Sequence, residues 1–195
     1  FFFLLTSRAG GASLSVRQAF ILTTLSWIVL TAFAALPFAF SQLNLSFTDA
    51  FFESMSGITT TGSTIITNLD AAPPGLLLWR SLLQWLGGIG IIVMALAVMP
   101  LLRVGGMQLF RMESSDLSEK ALPRAAQVAA AITAIYVILT IVWAALLWLV
   151  GMTGFDAVSH AMTTIATGGF SNYDASIGHF NSAAIDIIVT VGMII

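Results

Sequence analysis

Cysteine is absent from the 195 residues, which excludes a disulfide framework and any thiolate metal site. Charge is nearly as scarce, at 8% Asp, Glu, Lys and Arg, against about 25% in soluble domains. Hydrophobic residues make up 58% of the chain, and its mean hydropathy is +0.98. Such a sequence reads as an integral membrane protein. The opening "FFFLLTSRAGG" does not read as a signal peptide, having no starting Met and no basic stretch before its apolar run. We read residues 1–18 as the end of a preceding helix and a cytoplasmic loop. "AAIDIIVTVGMII" reads as a helix cut short, so the chain is expected to be a piece of a longer protein.

What is present falls into long apolar runs. Crossing the hydrocarbon takes about 20 mainly apolar residues. Residues 19–40 meet that, with Pro37 in the last turn, and residues 75–102 do so with Arg80 as the one charge. Residues 125–150 form a third span, and a fourth begins near Ser182. Two shorter segments, 47–57 ("FTDAFFESMSG") and 154–165 ("GFDAVSHAMTTI"), are suited to re-entrant half-helices. Thr48 or Asp49 is expected to cap the first, and Asp156 the second.

Each half-helix runs into a polar loop: "ITTTGSTI" at 58–65 and "IATGGFSN" at 165–172. Aligned at an offset of 107 positions, Asp49 meets Asp156, Ala50 meets Ala157 and Met55 meets Met162; Ile58, Thr60 and Gly62 meet Ile165, Thr167 and Gly169. The order of elements repeats with them, which makes an internal repeat the best reading of the chain. The fold class expected is an all-α membrane protein built from helix–pore helix–filter loop–helix units. The first unit covers 19–102, a cytoplasmic connector covers 103–124, and a second unit, truncated in its last helix, covers 125–195.

The basic residues give an orientation. Arg8 and Arg17 precede the first span, while Arg103, Arg111, Lys120 and Arg124 lie between the second and third. Asp49, Glu53, Asp70, Asp156, Asp174 and Asp186 all fall on the side of the polar loops. The basic side is expected in the cytoplasm, and the outer mouth is expected to be acidic.

Non-helical backbone at membrane depth must be buried in protein or line a watery cavity. Its carbonyls can replace the water of a cation, as in potassium channel filters built from four TVGYG loops. Thr60, Thr61, Gly62 and Ser63, with Thr167, Gly168, Gly169 and Phe170, are therefore the candidate ion-binding residues, with K+, or K+ with some Na+, as the ion. If the half-helices enter from outside, their C-terminal dipoles also favour a cation below the loops.

Arg80 is expected near the outer interface, snorkelling and anchored to Glu53 or Asp49. Gln84, one turn on, is expected to hydrogen-bond a pore helix. Gly87, Gly88 and Gly90 suit close helix contact or a bend better than nucleotide binding, because no strand precedes them. His160 aligns with Glu53, which suggests a hydrogen-bonding role. Asp186 could serve as a mouth charge or as a first-turn residue. No nucleophile elbow or H-E-x-x-H pattern points to an enzyme.

"FFESMSGITTTGSTI", "WRSLLQWLGGIGIIVMALAVMPLL", "GGMQLFRMESSD" and "TTIATGGFSNYD" together resemble the Trk/Ktr/HKT superfamily of potassium transporters, closest to its TrkH-type membrane subunits. The resemblance covers nearly the whole chain. It implies four helix–pore–helix repeats around one pore in the cytoplasmic (inner) membrane, of which this chain holds about two. It also implies a homodimer of the full-length subunit, a cytosolic nucleotide-binding regulatory partner, contact with membrane lipid, and no cofactor or nucleic acid. Potassium uptake is the expected function, and the alternative is a non-conducting membrane scaffold.

Overall fold

The computed structural model describes residues 16–102 and 118–195 of the chain. Arg8, Arg103, Arg111 and most of the expected connector lie outside the described residues. Most of the described residues are helical, and no strand occurs among them. In chain order the helices are α1 (Val16–Ala34), α2 (Leu36–Ala39), α3 (Phe47–Ile58), α4 (Pro74–Leu102), α5 (Ser118–Leu149), α6 (Gly154–Ile165) and α7 (Ala183–Ile194). Segments Phe20–Ala39, Pro74–Ile92 and Gln127–Leu149 are long and apolar enough to cross a membrane.

The expected first span is two helices. Pro37 has no N–H to give the carbonyl of Phe33, so the α-helical ladder stops and the chain turns at Ala35 before resuming in α2. The break frees the carbonyl of Ala34, which accepts the indole N–H of Trp79 on α4 at 3.0 Å. Pro74 opens α4 at the first helical position, where a missing N–H does no harm. The third span also starts earlier than expected. Helix α5 begins at Ser118, so Lys120 and Arg124 lie on it rather than in a loop.

Gly151, at φ 110°, ends α5. Its N–H donates to the carbonyl of Trp148 and that of Met152 to Leu147, both at 3.1 Å, the paired bonds of a Schellman turn. Thr153 then caps α6 at once.

The two half-helices, α3 and α6, have 12 residues each, ~18 Å at the α-helical rise, too short for a hydrocarbon layer of ~30 Å. Helix α3 lies against α1 and α4, and α6 against α5 and α7. Each unit builds its own small core: Ala34, Phe38, Ala50, Leu69, Leu77 and Leu83 in the first, and Trp143, Leu147, Met152, Ala161, Ile185 and Val189 in the second. Helix α6 also packs against α4 of the first unit. Across the same seam, Trp85 on α4 donates its indole N–H to Thr140 of α5 at 3.0 Å, and the Tyr136 hydroxyl donates to the Trp85 carbonyl at 3.1 Å.

The expectation of close contact at the glycine cluster holds. A Cβ on Gly87 would collide with the carbonyl of Ile58, the last residue of α3, and one on Gly88 would lie 2.6 Å from the Tyr136 hydroxyl. On Gly90 the nearest atom would be 3.9 Å away, on Trp27. Gly87→Val in the full-length protein should therefore lower stability by about 1–3 kcal/mol, while Gly90→Ala should be close to neutral. Heating purified detergent-solubilised protein and measuring the fraction that stays monodisperse tests the contrast; equal losses would contradict it.

Candidate functional site

Both half-helices start with the same device. Ser46 and Thr153 are the N-caps, each accepting the backbone N–H three residues on, Asp49 or Asp156, at 3.1 Å. Each also donates its hydroxyl to that carboxylate, at 2.8 and 2.6 Å. The caps thus stand three residues ahead of the expected Asp49 and Asp156. Short polar residues suit both the cap and the third helical position, so the sequence alone does not separate them. Ser46 and Thr153 are themselves 107 positions apart, which extends the repeat upstream.

They end alike as well. The N–H of Thr60 donates to Gly57 and that of Thr167 to Thr164; Thr61 donates to Ser56 and Gly168 to Thr163, all at 2.9 Å. Thr60 and Thr167 take φ of 55° and 52°, and Gly62 and Gly169 take 79° and 78°. Thr61, Ser63, Gly168 and Phe170 are not among the positive-φ residues. The sign of φ therefore alternates along both loops, a course that neither helix nor strand follows. Left-handed backbone is costly for a β-branched residue such as threonine.

Two equivalent residues brace the loops from behind. Glu53 on α3 accepts the Thr64 hydroxyl at 2.9 and 3.1 Å and the Ile65 N–H at 3.1 Å. Its counterpart His160 on α6 holds Ser171, the counterpart of Thr64. His160 Nδ1 lies 2.8 Å from the Asp156 carbonyl, and Nε2 lies 3.0 Å from Ser171 Oγ. A carbonyl only accepts, so Nδ1 carries the proton, and in the neutral ring Nε2 accepts from Ser171. The hydrogen-bonding role expected of His160 is therefore present. The sequence places Thr64 and Ser171 in the loops and pairs them at the offset of 107, but does not show them as the partners of Glu53 and His160.

Arg80 does not snorkel. It is 1% exposed, and its Nε donates to Glu53 at 2.8 Å. Its Nη1 donates to the Ser171 carbonyl at 2.7 Å, and the guanidinium lies 4.1 Å from the centre of the Phe170 ring. Its Nη2 has no acceptor among the described residues. Asp49, the other expected anchor, is engaged with its own cap. Gln84 reaches a loop rather than a half-helix: Nε2 donates to the Gly168 carbonyl at 2.8 Å, and Oε1 accepts the Phe170 N–H at 3.1 Å. Both side chains stand on α4 of the first unit and hold the loop of the second.

Of the candidate ion-binding residues, Thr61, Ser63, Thr167 and Gly169 are exposed and Thr60 and Gly62 half-buried, while Gly168 and Phe170 are buried. Phe170 turns its ring away, under Arg80 and against Gly57, so only its backbone faces the loops' open side. The two loops meet directly, since a Cβ on Gly62 would strike the Gly168 carbonyl. Among the described residues, no hydrogen bond ends on the carbonyls of Thr60, Thr61, Gly62, Ser63, Thr167, Gly169 or Phe170. At the C-terminal ends of the half-helices lies a cavity of about 330 Å³ whose wall includes Thr60, Thr167, Ile165, Gly88 and Tyr136.

At the other end, the half-helix N-termini meet an acidic rim. The Leu69 N–H donates to Asp174 at 3.0 Å and the Asp174 N–H donates to Asp70 at 3.2 Å, tying together the segments that follow the polar loops of the two units. His179 lies 3.8 Å from Asp70 and stacks on Tyr173 with ring centres 3.6 Å apart. Burial works to raise the pKa of Asp156, but hydrogen bonds from Thr153, Asn172 and Tyr173 outweigh it and hold the carboxyl below its ordinary value. Asp186 is exposed in the first turn of α7.

Removing one member of a buried ion pair strands the other, typically at a cost of about 3–5 kcal/mol. Glu53→Ala should therefore destabilise the full-length protein strongly. Glu53→Leu combined with Arg80→Met should recover a large part of that loss in a thermal unfolding assay. Equal losses in the single and double variants would show that the pair's charges are not the source.

Comparison with known proteins places this geometry. The sequence matches the family described as "TrkH: Cation transport protein" over residues 3–195. It is 48% identical over 192 residues to the Trk system potassium uptake protein TrkH of Escherichia coli (strain K12), covering 97% of this chain and 40% of that protein. It is 53% identical over 168 residues to the Trk system potassium uptake protein TrkI of Halomonas elongata, covering 86% of this chain and 34% of that one. Among solved structures, the potassium transporter TrkH from Vibrio parahaemolyticus superimposes with a TM-score of 0.80 at 45% identity, over 95% of this chain and 36% of its own. The chain thus spans well under half the length of these relatives. It belongs to the TrkH family of cation transport proteins, which are membrane transporters and not enzymes.

Proposed function

We propose that this chain supplies two of the four loops of a selectivity filter for potassium uptake across the cytoplasmic membrane, as part of a Trk-type system. The observation that carries the reading is the set of unpaired carbonyls at Thr60, Thr61, Gly62, Ser63, Thr167, Gly169 and Phe170. Backbone oxygens left without a partner at membrane depth are costly unless water or an ion meets them. A potassium ion shedding its water needs several such dipoles at once. The alternating φ, fixed by hydrogen bonds in both units, supplies them in a set geometry.

Field and shape agree with a cation. The half-helices direct their negative ends at the cavity beneath the loops, and Asp70 and Asp174 stand at the opposite mouth. Two units, 19–102 and 125–195, would each give one loop. Two further units of the full-length subunit would complete the ring, as the family resemblance implies. That resemblance also supports a homodimer and a cytosolic nucleotide-binding regulator. The orientation puts Arg17, Lys120 and Arg124 on the cytoplasmic side.

Gly62→Ser and Gly169→Ser test the reading in the full-length protein. Both force a side chain onto left-handed backbone, and both should lower the preference for K+ over Na+ in rubidium uptake competed by each ion. Gly62→Ser should also lower the amount of folded protein, because its Cβ meets the Gly168 carbonyl, whereas the Cβ of Gly169 meets nothing within 4 Å. Unchanged uptake and unchanged preference in both variants would sink the filter assignment.

A further inference from the structure

We infer that Gln84, on the second helix of the first unit, is a positioning residue that sets ion discrimination at the second unit's loop; the inference rests on the filter reading above. Gln84 is fully buried, at 0% exposure, and its single planar amide holds the two peptide groups on either side of Gly169. Its Nε2 donates to the carbonyl of Gly168 at 2.8 Å, and its Oε1 accepts the N–H of Phe170 at 3.1 Å. In a trans peptide the C=O points opposite to the N–H, and no peptide here is cis. Holding the Phe170 N–H on Gln84 therefore turns the Gly169 carbonyl away from Gln84. That carbonyl is among those left without a partner. Gly169 itself, with open space around it and φ of 78°, has nothing of its own to fix its direction.

The same contact accounts for a difference between the loops. The first unit reads Thr60-Thr61-Gly62 and the second Thr167-Gly168-Gly169. A Cβ at Gly168 would strike Cδ and Oε1 of Gln84, so the extra glycine leaves the amide the place from which it makes its two bonds. Thr61, its counterpart, is exposed and carries a side chain freely. Nor does the second unit repeat the arrangement. Gly192 abuts Thr164 near the end of α6 as Gly87 abuts Ile58 at the end of α3. Aligning the two glycines, at an offset of 105, gives Ile185 and Val189 the sequence positions of Arg80 and Gln84. Both of those residues are buried apolar core. Among the described residues the polar clasp is made at this joint.

The test measures rubidium uptake competed by K+ and by Na+ in the full-length protein carrying Gln84→Met, which loses both bonds, or Gln84→Glu. The glutamate keeps the volume and the acceptor but sets a carboxylate against the Gly168 carbonyl. Gly169→Ser serves as the filter control, and membrane content of each variant is measured alongside. Loss of two buried hydrogen bonds predicts a fall in K+ preference of about tenfold, read as the ratio of competition by K+ and by Na+ and normalised to membrane content. A purely structural role would lower protein amount and leave the preference unchanged. If Gln84→Met does not reach the membrane, Gln84→Glu carries the test. Unchanged preference in the Gln84 variants alongside a changed preference in Gly169→Ser would overturn the inference and leave the filter reading standing. Unchanged preference in all three and in Gly62→Ser, with uptake in the two glycine variants unchanged, would overturn both.

Discussion

Arg80 and Glu53 face each other where neither is wetted, and the centre of the molecule is arranged around that pair. Taking two ions out of water costs several kcal/mol each even after relaxation, and their attraction repays it only with further hydrogen bonds in place. Those further bonds are what tie the loops. Glu53 spends its remaining lone pairs on Thr64 and Ile65 of its own unit. Arg80 spends a second nitrogen on Ser171 of the other unit. One ion pair thereby fixes both loops to each other. The second unit has no arginine at its brace among the described residues, and the imidazole of His160 stands in place of the carboxylate.

The two units are alike where each treats its own loop and unlike where one treats the other's. Caps, helix ends and the signs of φ repeat from one unit to the next. Arg80, Gln84 and the glycine at 168 do not. A repeat in sequence therefore predicts the local backbone well but not the seam. At the seam each unit meets a different neighbour, and identical side chains would meet different partners.

This explains what could be read in advance. The spans, the half-helices and the loops were legible because apolar length and threonine–glycine composition are local properties, set within a dozen residues. The break at Ala35 was visible only as a tolerated proline, because its extent depends on Trp79 taking up the freed carbonyl. The caps at Ser46 and Thr153 were hidden behind the aspartates three residues later. Arg80 was placed at the interface because a charge five residues into an apolar run has somewhere wet to go. Its burial depends on Ser171 and Phe170, which lie 91 and 90 positions further along. Gln84 was legible as one face with Arg80 but not in its target, for the same reason.

The distance between Arg80 and Ser171 also bears on how the chain is made. Glu53 is synthesised before Arg80, so the cation has its counter-ion when it enters the bilayer. The carbonyl that takes its Nη1 follows 91 residues later, on the order of 5–20 s at common rates of synthesis. During that interval Arg80 has Glu53 but neither the Ser171 carbonyl nor the Phe170 ring.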